Sequence, residues 1–210
     1  MAKMNDKYET APLNPGWIKK RVPDSYADDN LKRIIIFYVI NTPCIGESSS
    51  SIPMSEYGWK KDVWKKYDLK NALFSIADLR RNETFFAVAK LPDLKSLFEK
   101  AKMKKRFHEY RDVEKIVIYK TKKYPNEMLS VFQHIRNSFA HGRLAMYKYG
   151  TNDVVFVLED GIEKSGRFQV RSRMIIKKST LLKWIDIIEA GPDKLNESEE
   201  KAKWKRKLQL

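Results

Sequence analysis

Ile135-Arg136-Asn137-Ser138-Phe139-Ala140-His141-Gly142-Arg143 is the stretch on which the reading of this chain turns. It closes a helix expected from about Asn126 to His141. Met128, Phe132, Ile135 and Phe139 recur at steps of four, three and four, the spacing of one helical face turned to a core. Gly142 follows where a chain leaving a helix often needs a positive φ. At about 100° per residue, Asn137 and His141 fall opposite this stripe, close to each other and to His134. Arg136 lies on the stripe's flank, beside Leu129 and Ala140. An Asn, two His and a neighbouring Arg are an odd load for an ordinary surface helix. The plainer reading is that His141 favours the negative end of the helix dipole, worth ~0.3–1 kcal/mol, and that Arg136 lays its stem on Leu129.

Arg-Asn-x-x-x-His, preceded by a helix and followed by a small residue, resembles the signature of the HEPN superfamily. These are small helical-bundle domains, many of them metal-independent ribonucleases of phage defence and toxin–antitoxin systems. The residues that match are Arg136, Asn137 and His141. The resemblance implies a mainly α, HEPN-like helical bundle whose active site is shared across a dimer. A toxin subgroup carries a Tyr two residues after the His, where its antitoxin modifies it. This chain has Arg143 there, so an antitoxin of that kind is not expected and any neutralising partner is unknown.

Composition bounds the partners. The 210 residues hold 42 Lys and Arg against 27 acids, a net charge of +15. Such an excess points first to RNA or DNA as a partner and says little about fold. Hydrophobic residues make up 42%, enough to fold a substantial core. Cys44 is the only cysteine, which excludes a disulfide framework and a Cys-based zinc site and fits a reducing cytoplasm. No run of 18 apolar residues suggests a membrane span, and the polar N-terminus has no signal-peptide character.

In chain order, residues 1–30 read as an irregular arm, 31–192 as one HEPN-like domain and 193–210 as a charged tail. The run Arg33–Ile40 is rich in β-branched residues and is read as a strand, with a buried helix as the alternative. Lys60–Arg81 reads as a helix, and 84–89 as either a strand or that helix's end. From Leu94 to about Lys122 the apolar spacing predicts long helical structure, broken near Lys102 where the stripe changes phase. Lys100–Lys123 holds ten Lys and Arg against three acids, and like charges four apart on a helix cost stability. Lys102, Lys104, Lys105 and Arg106 are therefore candidate RNA contacts, with Arg143 holding a flanking phosphate. Beyond Gly142, Val154–Leu158 and Phe168–Val170 read as a β-hairpin joined through Glu159-Asp160-Gly161. A last helix is expected to be capped by Ser179-Thr180 and stopped by Gly191-Pro192.

The expected fold is thus mainly α: a HEPN-like bundle with a β-hairpin inserted before the last core helix. The expected activity is a metal-independent endoribonuclease of phage defence or a toxin system, needing no cofactor. RNA carries its own nucleophile, the 2′-hydroxyl, so the protein must move protons and stabilise phosphate charge. His141 suits proton transfer, Arg136 suits phosphate, and Asn137 would orient the 2′-hydroxyl or the His. Arg136 and His141 diverge around the helix axis, so a homodimer through the motif helix would bring two of each together. Truncating either is expected to cost little stability. Metal binding is set aside because His134 and His141 are two turns apart, without a nearby acid. Cys44 reads as an inert packing residue. The alternative is a non-catalytic RNA-binding or interaction module using the basic surface.

Overall fold

Among the described residues, five apolar segments pair into one sheet, and helices cover both of its faces. The computed structural model describes residues 22–60, 69–77, 79, 84–103, 114–124, 126–151 and 153–194. In order these form α1 (Asp29–Ile35), continued by a π-helical stretch (Ile36–Ile40), α2 (Leu69–Ile76), β1 (Thr84–Ala89), α3 (Leu94–Lys100) and β2 (Glu114–Tyr119). Then come α4 (Glu127–Ala140), β3 (Leu144–Tyr149), β4 (Asp153–Lys164), β5 (Arg167–Lys177) and α5 (Lys178–Ala190). The sheet runs β1-β2-β5-β4-β3. Its β1–β2 pair is parallel and every other pair antiparallel.

The expectation of a mainly α, HEPN-like bundle is overturned by this five-stranded mixed sheet. The largest misreading is the long helix over 94–122. Helix α3 ends at Lys100, and Lys102 turns the chain with φ +56°. Glu114–Tyr119 is then a strand between β1 and β5. Val117 packs into the core under α3, while Ile116 and Ile118 pack into the core on the opposite face. A strand buried on both faces is apolar at consecutive positions, and that run mimics a helical stripe when only every fourth residue is compared.

The opposite error occurs at 33–40. That run is helical, not a strand: Asp28 Oδ1 accepts the Leu31 amide and caps α1, and Ile34, Phe37 and Tyr38 are buried. Ile35, Ile36 and Ile40 are exposed, so burial follows the helical period despite the strand-like composition. The segment 84–89, left open between helix and strand, is strand β1. Of the Lys60–Arg81 reading, Leu69–Ile76 is helical as α2, Ala77 and Leu79 are not, and residues 61–68, 78, 80 and 81 lie outside the described residues.

The hairpin is present and longer than expected. Strand β4 continues through Glu159, Asp160 and Gly161, and the turn lies at Ser165-Gly166. Glu159 is tolerated in the sheet interior because Arg173, its cross-strand neighbour, donates to it from Nε at 3.0 Å, and a buried charge survives when paired. Ser179 and Thr180 do not cap α5. Their hydroxyls instead bond Asp153 and Glu114, and the capping position is Lys177. Gly191 ends the helix with φ +78°, as the Gly-Pro pair implies.

Helices α1, α2, α4 and α5 share the larger core, on one face of the sheet, and α3 packs into the smaller core on the other. Trp184 and Tyr38 bury their rings and donate to the Leu73 and Leu181 carbonyls respectively, fastening α5 to α2 and to the π-helical stretch that follows α1. Among the described residues, no helix is long and apolar enough to cross a membrane.

Candidate functional site

Helix α4 forms where the sequence places it. Asn126 Oδ1 accepts the Met128 and Leu129 amides at the N-terminus, which satisfies two donors the helix leaves open. Met128, Phe132 and Ile135 are fully buried, and Phe139 packs on Phe156. His141 occupies the C-cap, its amide bonded to the Asn137 carbonyl. Gly142 takes φ +60°, and Arg143 N bonds the Ser138 carbonyl at 2.8 Å.

The polar side of α4 differs from its expected form. His134 does not join Asn137 and His141 at the surface; it is 2% exposed. Ser130, His134 and Ser138, four residues apart, make a buried polar row beside the apolar stripe. His134 Nδ1 lies 2.6 Å from Asp160 Oδ2, and its Nε2 lies 2.9 Å from the Tyr119 carbonyl. Both ring nitrogens thus face oxygen atoms. Nε2 carries a proton toward Tyr119, and a second proton lies between Nδ1 and the Asp160 carboxylate.

A hydrogen-bonded chain leads from this buried pair to the motif. Asn137 Nδ2 donates to Asp160 Oδ2 at 3.3 Å. Arg136 Nη1 donates to Asn137 Oδ1 at 3.2 Å, and Arg136 Nη2 to the Glu47 carbonyl at 2.6 Å. Glu47 is itself held, its carboxylate taking Lys123 Nζ at 2.8 Å and Gln133 Nε2 at 2.9 Å. Arg136 is therefore half-buried and anchored, not a loose surface charge. Its Nε is buried and has no hydrogen-bond partner among the described residues, and two Nη hydrogens are left over from the two bonds. The expectation that truncating Arg136 would cost little stability is corrected by these contacts.

His141 is exposed, and its ring makes no hydrogen bond among the described residues. It lies four residues from Asn137, about 40° round the helix, and five from Arg136, about 140° round. One copy thus joins Arg136 to Asn137 and leaves His141 on the neighbouring turn. Arg143 is committed to the hairpin: Nη1 donates to the Gly161 carbonyl at 3.0 Å, and the guanidinium lies 4.0 Å from the Phe168 ring centre. Lys102 is exposed, but it follows α3 on the sheet face opposite α4. Lys104, Lys105 and Arg106 lie outside the described residues. Cys44 is buried, and burial pushes its thiol up to about 12, so it is no nucleophile near neutral pH. Among the described residues, no three His, Cys, Asp or Glu side chains gather as a metal site.

Sequence reasoning missed Asp160, Glu47 and the buried role of His134. Asp160 was hidden by its place in an apparent turn beside Gly161. Glu47 acts through its backbone carbonyl, which no side-chain pattern reveals.

No protein-family model, curated protein or solved structure matches this chain. The resemblance to the HEPN superfamily is therefore carried by the motif helix alone.

Proposed function

We propose that this protein is a metal-independent endoribonuclease whose active centre is built from the C-terminal turns of two α4 helices. The observation that carries the reading is the pairing of an exposed imidazole, His141, with an anchored Arg136–Asn137 unit on the same helix end. The ribose 2′-hydroxyl attacks the adjacent phosphorus, its proton passes to a basic group, and the P–O5′ bond breaks as the 5′-oxygen is protonated. His141 takes the proton-transfer role, since an exposed imidazole ring offers nitrogens that can accept and donate a proton. Arg136 offers its remaining Nη hydrogens to the phosphate oxygens. The angle of about 140° between the two residues makes a centre drawn from two copies the better fit. The net charge of +15 supports a polyanionic substrate.

The activity makes a direct demand. RNA cleavage by the purified protein is expected to survive excess EDTA and to leave 2′,3′-cyclic phosphate and 5′-hydroxyl ends. Loss of cleavage in chelator, or 3′-hydroxyl products, would refute this mechanism. A second reading, an RNA-binding module without chemistry, is favoured by the prior engagement of Arg136 with Glu47 and Asn137. RNA binding without cleavage of any RNA would select it.

A further inference from the structure

The buried end of the hydrogen-bonded chain lies outside the motif. Asp160 is 3% exposed and sits on β4 where the pairing with β5 shifts register, between Asp160 and Gly161. A buried carboxylate is tolerated when hydrogen-bond donors reach it, and His134 supplies one of them. Yet the same oxygen, Oδ2, also takes the Asn137 amide nitrogen. That second bond has a consequence for the motif. An ionised carboxylate only accepts, and a guanidinium only donates. With Asp160 on one side and Arg136 Nη1 on the other, the Asn137 amide has a single allowed orientation: nitrogen inward, oxygen outward. Its oxygen and the Glu47 carbonyl then hold two Nη atoms of one guanidinium, which fixes the plane of that group.

We infer that Asp160 is a positioning residue for Arg136, acting through the orientation it imposes on the Asn137 amide, with His134 holding Asp160 in place. For catalysis this rests on the ribonuclease reading above, because Arg136 is there the phosphate-binding group. In Asp160→Asn the proton stays on His134 Nε2, which still donates to the Tyr119 carbonyl and leaves Nδ1 as an acceptor for the new amide's NH2. The atom facing Asn137 Nδ2 is then a donor, and the Asn137 amide must turn. Its NH2 then meets Arg136, donor against donor, and the guanidinium is released.

The test is a cycle of Asp160→Asn, Asn137→Ala and the double variant, assayed for RNA cleavage, with the Arg136 side-chain nitrogens followed by NMR. Each single variant is expected to lower kcat on the order of tenfold or more, with KM for RNA nearly unchanged. The double variant is expected to fall no further than the worse single one, because both act through one bond chain. The Arg136 Nη signals are expected to be resolved in the wild type and averaged in Asn137→Ala. Multiplying effects in the cycle, a wild-type rate in Asp160→Asn, or averaged Nη signals in the wild type would each overturn the inference. Should Asp160→Asn not fold, the wild type and Asn137→Ala spectra still decide it. A wild-type protein that cleaves no RNA would refute the ribonuclease reading, while the NMR comparison continues to judge the positioning role.

Discussion

His141 and Arg136 stand only five residues apart, yet the structure gives them opposite stability consequences. The His141 ring is exposed and makes no hydrogen bond among the described residues. His141→Ala is therefore expected to leave stability within about 0.5 kcal/mol of wild type. Cleavage is expected to fall by roughly 10²–10⁴, the range for loss of a general acid or base. Arg136→Ala should also abolish cleavage, but it removes a guanidinium that donates to the Glu47 carbonyl and to Asn137. Charged hydrogen bonds of this kind contribute roughly 1.5–3 kcal/mol. Urea denaturation of the two variants should separate them by about that margin. Equal stability would mean that the Glu47 contact contributes little in solution.

Two predictions belong to the elements that frame the site. Glu114, at the start of β2, caps the beginning of α5: Oε1 accepts the Lys177 amide and Oε2 the Thr180 hydroxyl. Burial pushes the Glu114 carboxyl above its ordinary range. A raised folded-state value means that the folded protein holds the proton more tightly than the unfolded chain. The resulting stabilisation is full at low pH and is lost as pH rises through the folded-state value. Relative to Glu114→Gln, the wild type should therefore lose stability as pH rises above the ordinary carboxylate range. Paired urea titrations would show this, and a difference independent of pH would count against the shift.

Gly161 is the second case, at the bulge that follows Asp160. A Cβ there would sit 2.3 Å from the Gln169 carbonyl and 2.7 Å from the Phe168 ring. Gly161→Ala should cost about 2 kcal/mol or more and disturb the Arg143–Phe168 stack. Thermal denaturation with no loss would show that the hairpin relaxes freely.

At the scale of the whole molecule, the decisive question is whether one copy or two would supply the proposed catalytic centre. Mixing His141→Ala with Arg136→Ala protein, each inactive alone, under conditions of subunit exchange gives heterodimers. If each centre takes its Arg from one chain and its His from the other, one centre per heterodimer is intact and activity partly returns. If both residues act from one chain, both centres stay broken. Partial recovery, measured on labelled RNA, is the expected outcome.

What the sequence determined by itself was local. The limits of α4 were legible because Asn126, the stripe from Met128 to Phe139 and Gly142 all act within one helix. The stop at Gly191-Pro192 was legible for the same reason, and the hairpin from its apolar strands, although its turn lies at Ser165-Gly166 and not at Glu159-Asp160-Gly161. Tertiary structure decided whether an apolar run became helix or strand. Arg33–Ile40 is helical and Glu114–Tyr119 is a strand, although both are rich in β-branched residues. Intrinsic preference for strand is weak beside what each segment packs against. Tertiary structure also decided which side of α4 is buried. His134 was assigned to the surface by its angle from the stripe, but the helix lies deep enough to bury a second, polar row. Such burial needs partners, and these lie far along the chain: Asp160 is 26 residues from His134, and Glu47 is 89 from Arg136. Hydrogen bonds between distant residues form only once the sheet and helices have packed, and no local spacing announces them.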